Sequence, residues 1–190
     1  MGEKGVGGDT TIGEKRMKRM ILLGLLFVGL VGCGYTTTSA LPPRLKTIYI
    51  GPFKNSIVYT DAANQSVYIP LLEVKARDAV VSRFQFDGNL DIVDAPQDAD
   101  LILKGELIEY RRNPLRYTDH DDVEEYRVQI IMKLALVDTA HDEPVWEYNR
   151  FVGEATYFLT GSQASSEDAA VDEAAVDLAR RIVETTIENW

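Results

Sequence analysis

Asp119-His120-Asp121-Asp122 is the one cluster in this 190-residue chain whose residue types suggest metal binding or acid/base chemistry. A hard cation needs several oxygen ligands gathered by a shaped loop, and a zinc site needs more than one His or Cys. The run lacks the glycine and spacing of a calcium loop, and the second His, His141, belongs to the next turn. Acids between two extended segments are ordinary turn composition, so both stretches read as solvated connections. A hydrolase built on Asp119 or His120 would lack a positioned nucleophile and base. No Gly-x-Ser-x-Gly, phosphate-loop or dinucleotide pattern occurs. The reading is therefore non-enzymatic, with no metal and no small-molecule cofactor. Arg111, Arg112 and Arg116 are the one concentrated basic group after the leader. Guanidinium forks match phosphate oxygens, which makes them candidate contacts for a phosphorylated ligand. The plainer alternative pairs them with Asp119, Asp121 and Asp122 on a solvated loop.

The single cysteine excludes a disulfide framework and any Cys-based zinc site. Its position is informative. Lys15-Arg16-Met17-Lys18-Arg19 precedes a short apolar run, Met20 to Gly32, that ends in small residues, the pattern of an export signal. A transmembrane helix would need about 20 apolar residues, and Thr36-Thr37-Thr38-Ser39 ends the run too early. Leu30-Val31-Gly32-Cys33 resembles the lipobox of bacterial lipoproteins. In such proteins the Cys carries an S-diacylglycerol and an N-acyl chain, and cleavage falls just before it. Several acyl chains, at about 0.8 kcal/mol per buried CH₂, hold a protein stably to a bilayer. Residues 1–32 are thus expected to be a signal peptide, with translation starting at Met1 or Met17. By the lipoprotein sorting rule, Gly34 where an inner-membrane protein has Asp implies the outer membrane.

The charge split agrees with an exported domain. Residues 1–32 hold five cations and three anions, leaving 15 and 27 for residues 33–190, a net charge of −12. That acidity argues against nucleic acid as a partner, while 45% hydrophobic residues exclude a disordered chain. One domain suits the length. It is expected over 45–190, behind a Gly, Thr, Ser and Pro rich tether over 33–44.

Within that domain, Lys46 to Phe53 reads as a strand stopped by Gly51-Pro52, and Asn55 to Ser66 as a loop. Pro70 to about Phe86 predicts a helix with Leu72, Ala76, Ala79, Val80 and Phe84 on one face and Gly88 as its cap. Leu90 to Val93 is a brief extended piece. Ala99 to Tyr110 alternates, with Leu101, Leu103 and Leu107 opposite Ile102, Lys104, Glu106 and Ile108. Val123 to Val137 puts Tyr126, Val128, Ile130, Met132, Leu134 and Leu136 on one face. Val145 to Phe158 follows a turn and predicts an antiparallel hairpin. These strands are long, about 45 Å for the second, so the sheet overhangs one small core. A helix from Ser165, with Ser165 and Asp168 as a weak capping box, runs to about Trp190 and buries Val171, Ala174, Ala175, Leu178, Ile182 and Ile187.

From Cys33 onward the chain resembles the lipopolysaccharide (LPS) assembly lipoprotein family LptE. The likeness lies in Cys33-Gly34-Tyr35, Leu41-Pro42-Pro43-Arg44-Leu45-Lys46-Thr47-Ile48, Pro52-Phe53-Lys54-Asn55 and Ala99-Asp100-Leu101-Ile102-Leu103-Lys104-Gly105. It continues in Tyr126-Arg127-Val128, Leu136-Val137-Asp138, Val145-Trp146-Glu147 and the final Ile187-Glu188-Asn189-Trp190. The resemblance implies an α+β two-layer sandwich, with two helices on one face of a mixed, mainly antiparallel four-stranded sheet. It also implies an outer-membrane subunit of the LPS translocon, facing the periplasm, that plugs the LptD β-barrel and assists LPS insertion. Arg111, Arg112 and Arg116 then become candidate LPS contacts. Ile48 to Asn55 also resembles the opening strand of LpoB- and CsgG-like lipoproteins, which would make the chain a regulator of wall synthesis or secretion.

Overall fold

Strict alternation of apolar and polar side chains over Val123–Asp138 demands a long strand with one dry face. A computed structural model describes residues 41–57 and 69–188, which belong to one compact unit, Ser39–Trp190. The signal segment, the lipobox residues Leu30, Val31, Gly32 and Cys33, most of the tether, most of the loop after Asn55 and the last two residues lie outside the described residues. The elements are β1 (Thr47–Ile50), β2 (Lys54–Asn55), α1 (Leu72–Asp87), β3 (Asp91–Ile92), a 3₁₀ turn (Pro96–Asp98), β4 (Leu101–Tyr117), β5 (Val123–Asp138), β6 (Glu143–Phe158) and α2 (Glu167–Glu188).

β5 lies between β4 and β6 and is antiparallel to both. Its Val128, Ile130, Met132, Leu134 and Leu136 are all buried, as the alternation requires. Leu101, Leu103 and Leu107 of β4 join them. A bulge then shifts the register between Leu107 and Glu109, so that Tyr110 rather than Glu109 enters the core.

The other edge of β4 corrects the expected four-stranded, mainly antiparallel sheet. β1 and then β2 pair with it in parallel, and β3 pairs in parallel with β1. The sheet has six strands in the order β3-β1-β4-β5-β6, with β2 also beside β4, and three of its five pairings are parallel. The cause is the helical crossover: a chain that leaves β1 and returns through α1 comes back pointing the same way. The expected strand from Lys46 to Phe53 is split at Gly51-Pro52, where Phe53 turns down into the core beside Gly105.

β4 also runs seven residues past its expected end at Tyr110, so the three arginines sit within a strand rather than a loop. Arg111-Arg112-Asn113-Pro114 has no strand pattern of its own. Pairing with the first half of β5 holds it extended, Pro114 opposite Tyr126. Pro114 is tolerated because the six-stranded sheet leaves this part of β4 as an edge.

Both helices cover the face that carries the buried residues of β5. α1 buries Leu72, Ala76, Val80 and Phe84. It ends at Gly88, whose φ of 72° and N–H bond to the Phe84 carbonyl, 3.0 Å, make the left-handed cap read from sequence. α2 buries Val171, Ala174, Ala175, Leu178 and Ile182. Its capping residue is Ser166, whose Oγ accepts the Ala169 N–H at 3.1 Å, one residue later than expected. The two helices are joined by an ion pair from Lys75 to Asp172 at 2.6 Å.

The two layers approach closely at Gly153 on β6. A Cβ there would fall 2.5 Å from the Ala174 carbonyl oxygen and 2.7 Å from the Leu178 Cα. Gly153→Ala is therefore expected to destabilise the domain by about 1–3 kcal/mol through overpacking. Urea denaturation would show this as a lower midpoint at unchanged slope.

Candidate functional site

The bulge that turns Tyr110 inward also decides where the arginines go. Arg112 pairs opposite buried Val128 and so lies on the helix side, whereas Arg111 pairs opposite Gln129 and lies on the open side. Arg116, opposite Glu125, also lies on the open side. The three do not form one patch. Nor do they pair with Asp119, Asp121 and Asp122: Arg111 meets Glu109, Arg112 meets Glu167 at 2.6 Å, and Arg116 meets Glu125 at 3.6 Å.

The Arg112 pair is part of a half-buried junction. Glu167, in the first turn of α2, accepts the Tyr110 hydroxyl at 2.8 Å and lies 3.5 Å from the Tyr157 hydroxyl. The Arg112 guanidinium also covers the Tyr126 ring at 5.1 Å, and Tyr126 stacks on Tyr157 with centroids 5.6 Å apart. Burial raises the Tyr110 and Tyr157 hydroxyls above the ordinary tyrosine value, and the neighbouring Glu167 carboxylate adds to it. Both stay neutral donors. The junction ties β4, β5, β6 and α2 together and has no free group for chemistry.

A second polar knot lies at the opposite end of the sheet. Both oxygens of Asp138, at the end of β5, receive the Arg44 guanidinium, with the Nη1 to Oδ1 bond at 3.2 Å. His141 Nδ1 and the Ala140 N–H complete its shell, each at 3.0 Å. Next to it Asp100 accepts the Lys46 N–H at 2.8 Å and the Thr47 N–H at 3.0 Å. Arg44 chiefly holds the Asp138 carboxyl well below the usual range, and the Lys46 N–H is the main cause that lowers Asp100. His141 thus takes part in the pair that holds Asp138.

Asp119, His120, Asp121 and Asp122 form the exposed hairpin turn between β4 and β5. The Thr118 N–H bonds the Asp122 carbonyl at 2.8 Å, and Asp121 adopts a left-handed φ of 64°. Among the described residues no group of three or more His, Cys, Asp or Glu could hold a metal ion.

The sheet face away from the helices carries a feature that the sequence reading did not isolate. Register aligns Tyr49, Ile102 and Val137 across β1, β4 and β5, and likewise Lys54, Glu106 and Lys133 across β2, β4 and β5. Lys104 and Ala135 lie opposite each other between these rows. Where β1 gives way to β2, these side chains, Val137 excepted, line a cleft of about 470 Å³. Alternation already set Ile102, Lys104 and Glu106 on one side of β4. Only the pairing register, which sequence does not show, brings Lys54 and Lys133 beside them.

The model of the lipopolysaccharide-assembly family LptE matches residues 45–186. The chain belongs to the LptE family. It is thereby a member of a non-enzymatic lipoprotein family of the cell envelope that serves LPS assembly. No curated protein matches it in sequence. Its fold is similar to that of protein XCC0632 from Xanthomonas campestris, with a TM-score of 0.52 and 13% identity over 79% of this chain and 88% of that one. It is also similar to lipoprotein B from Nitrosomonas europaea, with a TM-score of 0.52 and 12% identity over 77% and 84%. A PelC from Paraburkholderia phytofirmans aligns at a TM-score of 0.47 and 16% identity, over 80% of this chain and 95% of that one.

The knot at Asp138 gives this LptE-family domain a defined acid response. A carboxyl whose folded pKa is depressed adds stability above its unfolded value, about 4, and loses it as pH falls toward the folded value. Asp138→Asn is expected to lower the urea midpoint at neutral pH. The gap to wild type should close progressively as pH drops below about 4.

Proposed function

We propose that this family member is an outer-membrane lipoprotein, acylated at Cys33, whose domain seats inside the LptD β-barrel and assists LPS insertion into the outer leaflet. What supports the seat is a mismatch of lengths. β5, with 16 residues, spans about 53 Å, while the 22-residue α2 spans about 33 Å. The sheet overhangs its helix layer, its other face carries no helix among the described residues, and Leu115 and Tyr117 are exposed on the projecting end of β4. Exposed apolar side chains on a long paired ribbon favour a surrounding partner. Family membership favours this reading over a regulator of wall synthesis or secretion.

Affinity purification of the full chain from detergent-solubilised outer membrane should recover a large β-barrel protein, identified by mass spectrometry. Recovery of the free chain alone would refute the reading.

The same reading assigns LPS contact to Arg111, Arg112 and Arg116. Arg111 and Arg116 have the open-face geometry for it, while Arg112 also braces α2. The informative variant is therefore R111A/R116A, which should keep its barrel yet cross-link less to LPS. Unchanged cross-linking would remove the arginines from the proposal.

A further inference from the structure

The open-face cleft is unusual for a chain with a net charge of −10. Lys54, Lys104 and Lys133 line it, against one carboxylate, Glu106. Lys133 is paired with Glu147 at 3.3 Å, whereas Lys54 and Lys104 form no ion pair among the described residues. Below the lysines the surface turns apolar. Tyr49 and Ile102 stand side by side at one end of the cleft, and Ala135 fills its middle beside Lys104. Cations at one end and aliphatic and aromatic surface at the other are the complement of an amphiphile with an acidic head.

Size narrows the class. A volume of about 470 Å³ is that of a small-molecule site. It suits one alkyl chain with its head and excludes a multiply acylated glycolipid as a whole.

We propose that this cleft binds a single-chain anionic amphiphile, its phosphate or carboxylate held by Lys54, Lys104 and Lys133 and its chain laid over Ala135, Ile102 and Tyr49. The ammonium groups supply point charges without a fixed fork, so either head is accepted. The site uses none of the three arginines and does not depend on the barrel seat.

The test is photolabelling of the full chain in its own membrane with diazirine-bearing dodecyl phosphate, followed by peptide mapping. Label is expected in peptides spanning residues 47–54 and 101–106. K54A/K104A/K133A should cut labelling at least about fivefold, given the modest worth of each exposed charge pair. E106Q, which removes the opposing carboxylate, should raise it about twofold or more. Diazirine-bearing dodecanoate should label the same peptides, which separates a general acidic-head site from a phosphate-specific one. Label at other peptides, equal labelling by a dodecyl maltoside analogue, no effect of the triple variant, or full competition by inorganic phosphate would each overturn the proposal. A dodecanoate analogue that fails to label would overturn the breadth claimed for the head. Barrel recovery measured on the same triple variant keeps this outcome separate from that of the barrel proposal.

Discussion

The contact of α2 with β6 at Gly153 sets the spacing on which the rest of the domain depends. A helix can lie so close to a strand only where the strand lacks a Cβ and the helix presents small residues, here Ala174 and Ala175 beside Leu178. That proximity also lets α2 guard an exposed sheet edge. Asp177 accepts the Glu154 N–H at 3.1 Å, and Arg181 donates to the Val152 carbonyl, two groups for which β6 has no neighbouring strand among the described residues. An unpaired edge is a hazard in any sheet protein. Two side chains of one helix cover its middle, and Ser165 covers the Phe158 carbonyl near its end at 3.0 Å.

The domain divides its polar groups by role. On the helix side the Glu167 junction holds Tyr110, Tyr157 and Arg112, and burial there raises both tyrosine hydroxyls above their ordinary value. The polar groups on the open side are largely half-exposed lysines, arginines and glutamates over a floor that is locally dry: Ile131, between Glu109 and Val152, is only 1% exposed although it faces away from the helices.

Sequence made the regular parts legible. The face of β5 follows from its alternation, the stripe of α1 from its spacing, and its end from Gly88. What sequence concealed were features created by register. The bulge after Leu107 cannot be seen in a run such as Leu107-Ile108-Glu109-Tyr110, yet it moves Tyr110 into the core and puts Arg112 rather than Arg111 on the helix side. Arg112-Asn113-Pro114 reads as a loop because its extension is imposed by β5. The parallel pairing of β1, β2 and β3 was hidden for a related reason: segments of two to four residues carry too little pattern to declare a direction. The candidate site fared likewise, since the lysine cluster is assembled from three strands and no two of its members are neighbours in sequence.

The bidentate grip of Arg44 on Asp138 has a mechanical meaning. Tension arriving through the residues before Leu41 reaches this ion pair, and the Asp100 bonds to Lys46 and Thr47, before it reaches β1. The load is thereby passed across to the end of β5, the central strand, and is resisted in shear by its two ladders. Without that bypass, a pull on the leading end would peel the four residues of β1 from β4 one bond at a time.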